Sequence, residues 1–278
     1  MVKGLVVNDG AHFTEDRPGS TRDDAVRKIQ RRRAIMHMTQ RDGALDLLKW
    51  LALLSMVLDH LRYVGYSVDL LYVPGRLAFP WFCLAMAANL ARARTVTTDG
   101  QWRYLGWLLL FSAISEIPYR MYIPDPDTFN VLPTLTLGLL VARGWQDRAL
   151  QARLLAAGAL LLAALFPERL MFGFFGVLLP LAMLLVIKRP WYFSLLPGVV
   201  CLAANQWPVL YSSAQFHNVE AILGIAACLI APLAGLLLLR HAGRLKAPPP
   251  MRRWAYVLYP AHFLLLLALR EGLAKLSG

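Results

Sequence analysis

The chain has 278 residues, of which 58% are hydrophobic and only 17% charged, and its formal net charge is +12. A soluble domain is about 45–50% apolar and about 25% charged, so this composition excludes an ordinary soluble fold, and its hydrophobicity excludes disorder. The basic excess raises nucleic-acid binding as a first reading, which stands or falls on where the charges lie.

Residues 1–41 are polar and carry Arg31-Arg32-Arg33. They contain no apolar stretch of the kind a secretory signal needs. The expectation is a disordered basic tail on the cytoplasmic side, drawn to anionic lipid. Met36 and Met38 offer alternative starts, which would leave the tail outside the native chain. Residues 42–278 are expected to form one membrane domain.

From Leu45 onward, nine apolar runs follow one another: Leu45–Val64, Leu70–Ala91, Tyr104–Met121, Phe129–Ala142, Leu154–Phe166, Leu170–Ile187, Trp191–Trp207, Ala221–Leu239 and Ala255–Leu269. A spanning helix needs about 17–25 residues. Several runs are short, so length alone allows eight to ten crossings. The basic residues decide for nine. With the tail inside and each run crossing once, 22 of the 29 Lys and Arg fall on the tail's side. Six fall opposite, and Lys49 lies within the first run. Basic residues concentrate on the cytoplasmic side of membrane proteins. The predicted fold is therefore an all-α polytopic membrane bundle of about nine helices, N-terminus cytoplasmic and C-terminus outside. The charge marks loops, and nucleic-acid binding drops out. Cys83, Cys201 and Cys228 all sit in apolar runs and read as buried small hydrophobes.

Ionisable groups inside spanning helices are costly and usually functional. Asp59 and His60 lie in the outer half of the first run, with Arg62 a turn beyond. Arg76 enters the second run from the same side. Glu116, Tyr119 and Arg120 end the third, and Asn130 and Thr134 open the fourth. The pairs Asp59–Arg62 and Glu116–Arg120 also read as plain helix-end ion pairs. Four helices nevertheless bring polar groups to one depth. His60 and Asp59 are about 100° apart on one helix and do not face each other. Glu116 is the better partner for His60, and Asp59 for Arg62 or Arg76. In the last run His262 follows Tyr259 and Pro260, and the proline kinks the helix. The sequence has no Gly-x-Ser-x-Gly elbow, phosphate loop, His-Glu-x-x-His or zinc-ligand spacing. A histidine-plus-carboxylate site suits general-base chemistry on an amine or hydroxyl.

Five strings carry a resemblance: residues 43–52 (GALDLLKWLA) with Met56-Val57-Leu58-Asp59-His60, Gly75-Arg76-Leu77-Ala78-Phe79-Pro80, Ser115-Glu116-Ile117-Pro118-Tyr119, Phe129-Asn130-Val131 with Thr134, Leu137 and Gly138, and Leu258-Tyr259-Pro260-Ala261-His262. In this order they resemble the TraX family over about residues 42–270. The resemblance implies an enzyme of the bacterial inner membrane. Its reaction would be transfer of acetyl from acetyl-CoA to the N-terminal amine of a conjugative pilin. The expected catalytic residues are His60, as general base or transient acetyl carrier, with Glu116 and Asp59. Arg76 or Asn130 would stabilise the oxyanion. Arg62, Arg120, Tyr119 and Thr134 are further substrate-binding candidates. His262, Tyr259, Arg92, Arg94 and Arg253 would serve acetyl-CoA, and no metal is expected. Rival readings are a transporter or flippase with an intramembrane polar path, and a non-catalytic factor in pilus or secretion assembly.

Overall fold

The computed structural model describes residues 43–65, 68–92, 98–242, 248–251 and 254–277, with the side chains of 98–101 and 277 outside the described set. The predicted tail therefore lies outside it, as do Arg94 and Arg253. Residues 42–278 form one compact unit. Among the described residues, ten α-helices follow in order: α1 Gly43–His60, α2 Tyr72–Arg92, α3 Thr98–Tyr122, α4 Val131–Gln146, α5 Leu150–Leu165, α6 Gly173–Val186, α7 Leu195–Ala204, α8 Trp207–Gln215, α9 Val219–His241 and α10 Ala255–Ser277. No strand occurs among the described residues.

Each apolar run falls on one of these helices except the seventh. Trp191–Trp207 is not a single straight helix. It ends at Ala204, Gln206 takes a left-handed backbone (φ 54°), and α8 leaves at 83° to α7. Asn205 sits at this break, where a polar residue can turn back to bond the helix end: its amide donates to the Cys201 carbonyl at 2.8 Å.

Three helices are long and apolar enough to cross a membrane, and a fourth if the bent α7–α8 pair counts as one span. The molecule is thus an all-helical membrane protein. Its surface agrees: Leu154, Leu161, Leu165 and Leu265 are all at least 59% exposed, an apolar exterior that water would not tolerate. Helix α5 shows why. Ala152, Ala156, Ala159 and Ala163 form its buried stripe at helical spacing, while Leu150, Leu154, Leu161, Leu162 and Leu165 face outward. Against lipid the bulky residues lose nothing by exposure, and small ones let backbones approach. Gly144 of α4 packs there on Ala156.

Contacts fix the helix directions. Asp59 near the end of α1 meets Gly75 at the start of α2, so these two run antiparallel. Trp50 of α1 packs on Trp254 and His60 on His262, so α1 and α10 run parallel. Tyr256 stacks on Phe111 while Arg270 reaches the carbonyl of Tyr122, so α3 runs with α10. Tyr72 against Gly224 and Trp81 against Gly235 set α9 parallel to α2. Thr134 against Gly176 and Gly138 against Pro180 set α6 parallel to α4. The C-terminal ends of α1 and α3 therefore meet the N-terminal ends of α2 and α4 at one end of the bundle.

Candidate active site

That shared end holds the polar cluster. Helix α1 stops at His60, and its last carbonyls need partners. Tyr122 supplies one: its hydroxyl donates to the His60 carbonyl at 2.6 Å. Arg270 in turn donates to the Tyr122 carbonyl at 2.9 Å and lies over its ring. The end of α1 is thus pinned by α3 and α10 together.

The His60 side chain meets His262. Their Nδ1 and Nε2 atoms lie 2.8 Å apart, with rings 9° from parallel. The Leu258 carbonyl lies 3.3 Å from His262 Nδ1. A carbonyl only accepts, so Nδ1 of His262 carries the hydrogen and its Nε2 holds the lone pair. His60 must then donate from Nδ1, which leaves its Nε2 lone pair free. The chain Leu258 carbonyl, His262, His60 points a neutral imidazole base away from the dyad. Phe263 packs on both rings, with centroids 5.0 Å from His60 and 4.0 Å from His262, and shields the pair from water.

Next to His60, Asp59 accepts from two arginines. Arg62 reaches its Oδ1 at 3.0 Å and Arg76 its Oδ2 at 3.3 Å. Arg76 also donates to Asn205 at 2.5 Å and lies over the Tyr72 ring. One carboxylate between two guanidiniums leaves a net positive charge. The Arg76 Nε–H is buried without a partner among the described residues. Gly75 permits this closeness, because a Cβ there would lie 2.5 Å from the Asp59 side chain. Ser55 adds a hydroxyl bond from α1 to the Pro74 carbonyl.

Several expectations need correction. Glu116 does not orient His60. Its Oε1 accepts from Arg120 at 2.7 Å, and its Oε2 accepts from the backbone and amide of Asn130 at 3.0 and 2.7 Å. His262 takes the place assigned to Glu116. Asn130 is not an oxyanion donor: its amide is committed to Ser112 and Glu116, and its carbonyl caps α4 through Leu132 N–H. Thr134 is buried and bonded to the Met171 carbonyl at 2.8 Å. Tyr119 pairs with Thr128 at 3.2 Å. Arg120 is a partly exposed helix-end partner of Glu116 and lies over Phe129. Of these five, Glu116 and Asn130 tie α3 to the start of α4, and none of these bonds reaches the histidine pair. The Tyr259 hydroxyl accepts from Val131 N–H at 3.3 Å, and its ring lies 5.5 Å from His262. Arg92 ends α2 at the opposite end of the bundle.

Sequence reasoning missed Tyr122, Asn205, Tyr72 and Arg270 as site neighbours. Asn205 carried a signal, being a polar residue inside an apolar run. Tyr122 borders the third run and Tyr72 lies within the second, and neither gave a signal.

Fold and site together define a helical membrane protein with a hydrogen-bonded pair of histidines, one buried and one half-buried, beside an arginine-rich cluster. The chain belongs to the TraX family: the model described as TraX protein matches residues 44–270, from the second residue of α1 to Arg270 of α10. No curated protein and no solved structure matches it. Membership is consistent with a pilin-associated role in conjugation.

Proposed function

We propose that the protein is an acetyltransferase of the bacterial inner membrane that moves acetyl from acetyl-CoA to an amine, the N-terminus of a pilin-type protein. The observation that carries this reading is the His60–His262 pair, whose tautomers leave His60 Nε2 free as a base. His60 takes a proton from the neutral amine as its nitrogen attacks the thioester carbonyl. The oxyanion that forms meets the unpartnered Arg76 Nε–H. Collapse breaks the carbon–sulfur bond, and the CoA thiolate takes the proton from His60. Asp59 holds Arg76 and Arg62 in place, and Tyr122 fixes the end of α1.

The helix directions support nine passes, with α7 and α8 together as one broken pass. Helix α9 begins near the end of the bundle where α7 stops, and α10 returns parallel to α1. Arg92, Arg143, Arg148, Lys188 and Arg240 at the opposite end support a cytoplasmic location for that end, with the histidine pair toward the outer face. The test is mass spectrometry of pilin N-termini from cells with and without the protein. N-terminal acetyl groups are expected only with the wild-type chain. Equal acetylation in both would contradict the reading. Vesicles holding the protein that move a solute without acetyl-CoA would favour the transporter reading instead.

A further inference from the structure

A cavity of about 190 Å³ lies among α1, α2, α3, α4 and α10. Lys49, Asn89 and Met251 line its end near the basic face. Leu53, Met56, Met86 and Leu135 line its middle, and Tyr259 lines it beside His262. Its wall is mostly apolar, but it also carries the Asn89 amide and the hydroxyls of Tyr104 and Tyr256. Among the described residues, none of these three groups is hydrogen-bonded to the protein. The cavity thus offers an apolar tube with a few polar groups placed to bond a guest, the pattern of a ligand site.

Resting on the acetyltransferase reading, we propose that this cavity receives the acyl-pantetheine arm of the donor from the basic end and presents its thioester past Tyr259 to the histidine pair. Length agrees. Lys49 and His60 are separated by about 16 Å of helix. The pantetheine arm has about twelve chain atoms, as many as four residues, and so reaches ~14 Å extended. Chemistry agrees as well. The arm is a thin chain with methyl and methylene surface, two amides and one hydroxyl, which Asn89, Tyr104 and Tyr256 complement. The charged nucleotide is too polar to follow it into the bundle. It stays at the mouth, where Lys49, Arg92 and Arg143 share one end of the helices and supply positive charge. Arg143 is held there over the Trp102 ring, with its Nε–H buried and unpartnered among the described residues. Tyr259 joins the two halves of the site, lining the cavity with its ring 5.5 Å from that of His262 and its hydroxyl tied to the start of α4.

The experiment is photolabelling of the full chain in membrane vesicles with a CoA thioester whose acyl group carries a diazirine, followed by peptide mapping. Label is expected on Met56, Leu132 or Tyr259, and excess acetyl-CoA should suppress it. Competitive label confined to residues outside the cavity, or no label that acetyl-CoA suppresses, overturns the proposal. Leu53→Trp should fill the tube, abolish the label and raise KM for acetyl-CoA about tenfold or more. Leu109→Trp, on the exposed side of α3, should change neither. If Leu53→Trp labels like wild type, the assignment fails; if it does not fold, the wild-type map alone decides. His60→Ala should lose transfer yet keep the label. Competitive labelling of the cavity in a wild-type chain that transfers no acetyl overturns the enzymatic reading and leaves the cavity assignment standing.

Discussion

One missing Cβ sets the distance between Asp59 and α2. At Gly75 an added methyl would meet three Asp59 atoms at 2.5 Å, whereas at Gly106 it would meet nothing. Gly75→Ala must push α1 from α2 and is expected to cost about 1–3 kcal/mol, as overpacking does. Gly106→Ala is expected to leave thermal stability in detergent unchanged. Equal melting of both variants would remove Gly75 from the account. At His262 the expected role is positioning, since it holds the His60 tautomer. His262→Leu deletes the acceptor and should lower kcat roughly 10²-fold, orienting groups being worth up to ~10⁴ in the best-known triad. His262→Gln keeps an acceptor oxygen and should recover much of that loss without changing KM. If Gln is as poor as Leu, the acceptor is not what His262 provides. His60 and His262 were both legible as buried ionisable residues. Their partnership was not, because they are 202 residues apart and nothing in the periodicity of either helix names its neighbour.

Element ends carry most of the polar chemistry. Helices α1 and α3 finish, and α2 and α4 start, at the end where Asp59, Arg76, Glu116 and Asn130 stand. Each group there serves first to satisfy a terminus or an ion. Asn130 caps α4 and, with Arg120, occupies the Glu116 carboxylate. Asp59 balances two arginines, so Asp59→Asn leaves Arg62 and Arg76 without a countercharge in a largely buried place. Breaking a buried pair in this way costs about 3–5 kcal/mol. Asn205→Ala removes a neutral partner and should cost about 1 kcal/mol or slightly more. The two variants are compared by thermal unfolding in detergent, with the expected order Asp59→Asn well below Asn205→Ala. The sequence showed which helices bring polar groups to this depth, because burial of charge stands out in an apolar run. It did not separate the histidine pair from the capping set. Asp, Glu, Asn and Arg read alike in a string, and only a side chain's hydrogen bonds show whether it is already committed. The break at Asn205–Gln206 escaped for a similar reason: a single polar pair in an apolar run does not interrupt the hydropathy.

At the scale of the molecule, the +12 charge reads as a direction. Basic helix ends gather opposite the histidine pair, and the alternating helix directions fit a chain that starts and finishes on opposite faces. A phosphatase reporter fused after Gly278 is therefore expected to be active, and one fused in the α4–α5 turn at Asp147 inactive; the reverse pattern would turn the bundle over. On the proposed acetyltransferase reading, donor and acceptor approach from different sides and meet at the histidine pair. The central claim is that His60 is the base for acetyl transfer. The direct measurement is transfer of labelled acetyl from acetyl-CoA to a pilin-type acceptor in vesicles holding the purified chain, wild type against His60→Ala. The account predicts transfer by wild type and a loss of about 10²-fold or more in the variant. Undiminished transfer by His60→Ala would contradict it.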